Sequence, residues 1–120
     1  MYIFRFPKAA DFKFTYEALN NYIERGKGWG ERKVGTTVNV ERTFGPSIRV
    51  VLYDTVIARV YSDGSVEIPE TINEYGSQAT TKWVEKILQD NGVGRFVYRE
   101  GGKYVGVAGE TFRPAELASV

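Results

Sequence analysis

The chain predicts an α+β domain, a mostly antiparallel β-meander sheet with two helices in the order β-α-β-β-β-β-α-β-β. Three observations predict it. Apolar residues recur at helical spacing in only two windows, near 15–25 and 80–90. Period-two alternation runs through most of residues 34–68. The turn signals Gly45-Pro46, Asp63-Gly64 and Gly101-Gly102 separate short alternating runs at the spacing of hairpins rather than of crossover helices.

The first run, Tyr2, Phe4 and Phe6 against Ile3 and Arg5, reads as a strand stopped by Pro7. Thr15 caps a helix to about Arg25, with Tyr16, Leu19 and Ile23 as its apolar stripe and Gly26 and Gly28 as its stop. Residues 25–33 hold three glycines and four cations around Trp29 and read as a loop. Val34 to Val40 follows as a strand, then a strand around Ile48, Val50 and Leu52, then Val56 to Tyr61. Asp63-Gly64 supplies the positive φ of a tight hairpin, and Val66 to Ile68 returns along it to Pro69. Residues 69–79 lack a pattern, with Ile72 and Tyr75 as available anchors. Thr80 or Thr81 caps the second helix, which buries Trp83, Val84, Ile87 and Leu88 and stops at Asn91-Gly92. A hairpin of about 95–99 and 103–107 closes the chain.

At 120 residues the length fits a single domain over 1–120. It divides into an N-terminal strand, helix and basic Gly/Trp loop (1–33), the sheet and second helix (34–107), and a tail (108–120). There is no cysteine and no histidine, which excludes cysteine-based zinc sites, thiol nucleophiles and histidine-dependent triads. Paired carboxylates could still act without either residue, but Asp54, Asp63, Glu67, Glu70, Glu74 and Glu100 have no partner at a telling spacing. The expectation is a protein that is not an enzyme, with no cofactor and no metal site. No apolar run has the length of a membrane span and the N-terminus lacks a signal pattern, so no membrane partner and a cytoplasmic location are expected.

Sixteen basic and fifteen acidic residues leave a net charge of +1. The distribution is uneven. Residues 1–49 hold nine basic and five acidic side chains, net +4, and residues 50–120 hold seven and ten, net −3. This would favour nucleic acid if the fold gathered the N-terminal cations together.

Three groups of residues are candidates for contact with a ligand or partner. In the 25–33 loop, Arg25, Lys27, Arg32 and Lys33 could follow a phosphate backbone while Trp29 stacks on a base; the alternative is a helix C-cap whose tryptophan folds onto the core. Thr80, Thr81 and Lys82 at a helix start suit an anion; the alternative is ordinary capping. Arg49, Arg59, Arg95 and Arg99, with Tyr53, Tyr61, Tyr98 and Tyr104, could grip a nucleotide, RNA or a protein on an open sheet face; the alternative is a solvated face. Exposed edge strands and a Tyr-rich face also predict a homo-oligomer.

The order of Tyr53-Asp54-Thr55-Val56-Ile57, Asp63-Gly64, Thr80-Thr81-Lys82 and Gly102-Lys103-Tyr104-Val105, spanning about residues 34–107, resembles a small uncharacterised bacteriophage-encoded domain. In that domain an Asp-Gly hairpin precedes a Gly-Trp-x-Thr-x-Thr-Thr-Lys segment, a helix and a closing strand with Trp or Tyr before Val. This chain lacks the family's His and has Tyr75-Gly76-Ser77 where the Gly-Trp stands. The resemblance implies a phage gene product in the host cytoplasm and names no activity. Because small phage proteins are often inhibitors, the leading expectation is a non-enzymatic binding protein that inhibits a host defence component or sequesters a nucleotide signal. The alternative is a nucleic-acid-binding accessory protein that uses the basic and aromatic loop.

Overall fold

The computed structural model describes residues 4–74, 77–94 and 97–113. Two helices, α1 (Tyr16–Glu24) and α2 (Gln78–Asp90), pack on one face of a sheet formed by β1 (Glu31–Val34), β2 (Val38–Arg42), β3 (Ser47–Leu52), β4 (Thr55–Tyr61), β5 (Val66–Glu67) and β8 (Thr111–Phe112). The sheet order is β1-β2-β3-β4-β5-β8 and every pairing is antiparallel. A separate hairpin pairs β6 (Arg99–Glu100) with β7 (Lys103–Tyr104). The α+β architecture and meander order thus follow the sequence pattern.

Local chemistry explains each main element. Thr15 caps α1 by accepting the Ala18 N–H, and Leu19 and Ile23 form its buried stripe. In β3, Ile48, Val50 and Leu52 alternate into the core while Arg49 and Val51 face outward. The β3–β4 register shifts between Val50 and Val51, leaving Ile57 as an extra residue, so Ile57 and Ala58 are both buried in succession. Trp83 on α2 lies under Phe6 and Phe14, with ring centroids 4.9 and 5.5 Å away. The C-terminal end of α2 holds both backbone groups of Phe14: Asp90 accepts its N–H at 2.9 Å and the buried Asn91 amide donates to its carbonyl at 2.8 Å.

Five local expectations are corrected. The described part of the N-terminal strand, Phe4–Phe6, pairs with no strand among the described residues; its rings pack edge-on to one another and to Trp83. The loop expected over 25–33 ends early, since β1 begins at Glu31. The strand expected over 34–40 is a hairpin, turned at Gly35 (φ +72°) so that Val34 and Val38 pair. The cap of α2 is Ser77, three residues before Thr80, and its hydroxyl accepts the Thr80 N–H at 3.1 Å. The segment 108–113 is no free tail: Ile68 N–H donates to the Glu110 carbonyl, and β8 closes the far edge of the sheet. Ile72 is a buried anchor, in a 3₁₀ turn over Glu70–Asn73, whereas Tyr75 lies outside the described residues.

Candidate nucleic-acid interface

The α1–β1 loop and the β2–β3 turn meet at one end of the sheet, where the Arg42 N–H donates to the Gly30 carbonyl at 2.8 Å. Each presents one aromatic ring. Trp29 is 100% and Phe44 114% exposed, so neither ring contributes to the core. The expectation that Trp29 folds back onto the core is thereby set aside, and Trp83 is the buried tryptophan, at 2% exposure. The loop that carries Trp29 is tightly drawn. A Cβ on Gly28 would stand 2.5 Å from the Glu31 carbonyl oxygen, and Gly30 has φ +84°. On the other turn, the Thr43 hydroxyl meets the Ser47 hydroxyl at 2.8 Å and accepts the Gly45 N–H at 3.2 Å, which braces the backbone beside Phe44.

The cations of the 25–33 segment divide by role. Arg25 and Lys27 are exposed beside Trp29. Arg32 lies on the helix side of β1, its guanidinium 4.1 Å from the Tyr22 ring centroid and hydrogen-bonded to the Tyr22 carbonyl, so it clamps α1 to the sheet. Lys33 sits near the far end of β1, where its carbonyl accepts from the Tyr22 hydroxyl. Arg42, not singled out by patterning, joins the Trp29 end and is held by Glu24 (2.6 Å) and Asn20 (2.9 Å). Because the sheet follows chain order through β1 to β5, the sequence's charge split becomes a spatial one. The net-positive stretch supplies α1, β1, β2 and the start of β3; the net-negative stretch supplies β4, β5, β8 and α2.

The sheet face opposite the helices carries a row of directly opposed side chains: Glu31, Glu41, Arg49, Arg59, Glu67 and Thr111. Opposed arginines repel, but each has a flanking carboxylate, Glu41 for Arg49 at 2.8 Å and Glu67 for Arg59 at 3.6 Å. Tyr61 shares this face and donates its hydroxyl to Glu67 at 2.9 Å. Burial, with help from that hydrogen bond and the charge of Glu67, pushes its phenol above the ordinary tyrosine range. The open face is therefore largely a self-satisfied ladder. Tyr53 lies in the β3–β4 turn at the sheet's other end, exposed and with φ +55°.

At the start of α2, Ser77 takes the capping role foreseen for Thr80 or Thr81. Thr80 is buried with its hydroxyl 3.0 Å from that of Ser77, and the Thr81 hydroxyl reaches the Ser77 carbonyl and the Tyr104 hydroxyl, both at 3.1 Å. Lys82 is exposed. Tyr104 is buried at 4% and belongs to the core; the Arg99 guanidinium lies 5.8 Å from its ring centroid, while Tyr98 is exposed nearby in the chain. Arg95 lies outside the described residues. The candidates therefore regroup: Tyr104 joins Thr81 at the start of α2, while Arg49 and Arg59 stay on the open sheet face. Phe44 is the exposed ring that patterning misses; its signal is a large apolar side chain placed in the Gly45-Pro46 turn instead of a strand.

Among the carboxylates, Asp54 and Glu74 line a cavity of about 700 Å³ with Arg59, Thr55 and Thr71. Asp63 is occupied by the Ser65 hydroxyl and N–H, at 2.6 and 2.9 Å, which hold its carboxyl below the ordinary aspartate range. Among the described residues there is no cluster of three or more metal-ligating side chains, and no helix is long and apolar enough to cross a membrane. No protein family, curated protein or solved structure matches the chain.

Proposed function

We propose that this chain is a non-enzymatic binding protein that takes single-stranded nucleic acid at the Trp29–Phe44 end of its sheet. The observation that carries the reading is two fully exposed aromatic rings, one on each of two adjoining turns, at the net-positive side of the fold. Water gains nothing from such rings and the core does not use them. Stacking of a base on an aromatic face is worth about 1–3 kcal/mol and tolerates any sequence. Arg25 and Lys27 beside Trp29, with Arg42 across the junction, supply cations for the intervening phosphates.

A protein partner, such as the host component expected of a small inhibitor, would use the same rings as anchors. Salt separates the two. With about three phosphates neutralised, the slope for a single strand is about −2, so affinity for a fluorescent oligothymidine falls roughly 20-fold between about 50 and 200 mM salt. Binding that is measured by anisotropy, weakens in this manner and drops further in Trp29→Ala supports the reading. Absence of binding at low salt, or binding indifferent to both salt and Trp29, overturns it.

A further inference from the structure

The turn that presents Phe44 also borders a cavity of about 270 Å³, lined by Arg42, Thr43, Phe44 and Arg49. Its two arginines come from neighbouring strands and opposite faces: Arg42 pairs in register with Ile48 on the helix side, and Arg49 with Glu41 on the open side. Both are already oriented. Glu24 and Asn20 hold Arg42 through Nη2 and Nε, and Glu41 holds Arg49 through Nη2. A guanidinium has five N–H donors in a fixed fork, so each retains donors after these bonds. Arg49 Nε is buried, and the side chain is 40% exposed, so the accessible donors of this guanidinium are its terminal nitrogens.

Two anchored guanidinium groups and a free aromatic ring around one small cavity match the two halves of a nucleotide. We infer that this cavity is a nucleoside-monophosphate subsite, with the phosphate on Arg42 and Arg49 and the base on the Phe44 ring. Arginine suits the phosphate because its planar fork meets two oxygens at once. The braced Thr43–Ser47 backbone fixes where the Phe44 side chain leaves the turn, so the backbone needs little ordering on binding. The larger cavity does not compete for such a ligand. Its lining includes the carboxylates of Asp54 and Glu74, which would repel a phosphate, and only one arginine, Arg59.

This subsite deepens the nucleic-acid reading and rests on it for the source of the ligand. The same phosphate and base could belong to a link in a single strand or to a free mononucleotide. The experiment is an amide NMR titration of the isotope-labelled full chain with adenosine 5′-monophosphate, adenosine, inorganic phosphate and a short oligothymidine in separate arms. The expected result is a saturable shift at Thr43, Phe44 and Arg49 with adenosine 5′-monophosphate, at least about 10-fold tighter than with adenosine or phosphate alone. Phe44→Ala, at an exposed turn position that cannot threaten the fold, weakens it about fivefold or more, and Arg49→Gln by at least about 10-fold. If the mononucleotide saturates these residues while oligothymidine binds nowhere, the subsite stands and the single-strand reading falls. If oligothymidine shifts Trp29 while 43–49 stay silent in every arm, the subsite falls and the single-strand reading stands. Adenosine binding as tightly as its monophosphate, or Arg49→Gln binding as tightly as wild type, also overturns the subsite.

Discussion

Truncating the two tryptophans separately to alanine should give opposite results, because the fold treats them oppositely. Trp29 is fully exposed and Trp83 is 2% exposed in a nest of Phe4, Phe6 and Phe14. Trp29→Ala returns no buried apolar area to water, so its effect on stability should stay within about 0.5 kcal/mol, the range of surface substitutions. The same change removes the stacking platform, which is worth about 1–3 kcal/mol, or roughly a 5- to 150-fold loss of affinity for oligothymidine. Trp83→Ala instead leaves a cavity under α2 and should cost about 3–5 kcal/mol, a large share of the 5–15 kcal/mol that holds a domain of this size together. Urea denaturation followed by circular dichroism, which does not depend on either indole, measures the first quantity, and anisotropy of a labelled oligonucleotide measures the second. The intrinsic fluorescence of Trp29→Ala should also lose its solvent-exposed, red-shifted component. A stability loss above about 1 kcal/mol in Trp29→Ala would refute the reasoning, since it would mean that the ring packs on the protein. Unchanged affinity with unchanged stability would leave the exposed ring without the role assigned to it.

Four further outcomes follow from particular contacts. Ser77→Ala should cost about 1 kcal/mol in urea denaturation while Lys82→Ala stays within about 0.5, because the hydroxyl of Ser77 caps α2 and Lys82 is exposed; an unchanged urea midpoint in Ser77→Ala would contradict the cap. The Ser65 hydrogen bonds lower the Asp63 pKa, so they contribute stability above the ordinary value of 3.8 that is lost as pH falls through it to the depressed value; wild type should exceed Asp63→Asn in urea midpoint near about pH 7, and the gap should close near about pH 2. Tyr61 has a raised pKa, so its contribution is full below the ordinary value of 10.0 and is lost as pH rises beyond it; Glu67→Gln should lower that titration only part-way, because burial remains, as measured by tyrosinate absorbance referenced to Tyr61→Phe. Tyr53 is exposed at φ +55°, a conformation that costs a side chain about 1–2 kcal/mol, so Tyr53→Gly should raise stability by about 0.5–1 kcal/mol, and a lower urea midpoint would contradict this.

Short-range chemistry was enough to read much of this molecule. The stripes Leu19–Ile23 and Trp83–Leu88, the alternation of Ile48, Val50 and Leu52, and the Asp63-Gly64 turn each concern residues within a few positions of one another, where backbone geometry alone decides which side chains share a face. The absence of cysteine and histidine narrowed the chemistry in the same direct way. What the sequence left open depends on residues distant in the chain. Thr15 and Ser77 are both good caps, yet so are Thr80 and Thr81; in the fold Ser77 caps α2, Thr80 is buried and Thr81 is engaged by the Tyr104 hydroxyl. Residues 108–113 look like a tail until the free edge of β5 offers them a partner. The arginines look alike until Tyr22 claims Arg32, and Glu41 and Glu67 face Arg49 and Arg59. Above all, Trp29 and Trp83 are the same residue type in the sequence, and only tertiary packing makes one a core ring and leaves the other exposed. Burial is the sum of contacts from every element that reaches a side chain, so a residue's own neighbours in the chain cannot fix it.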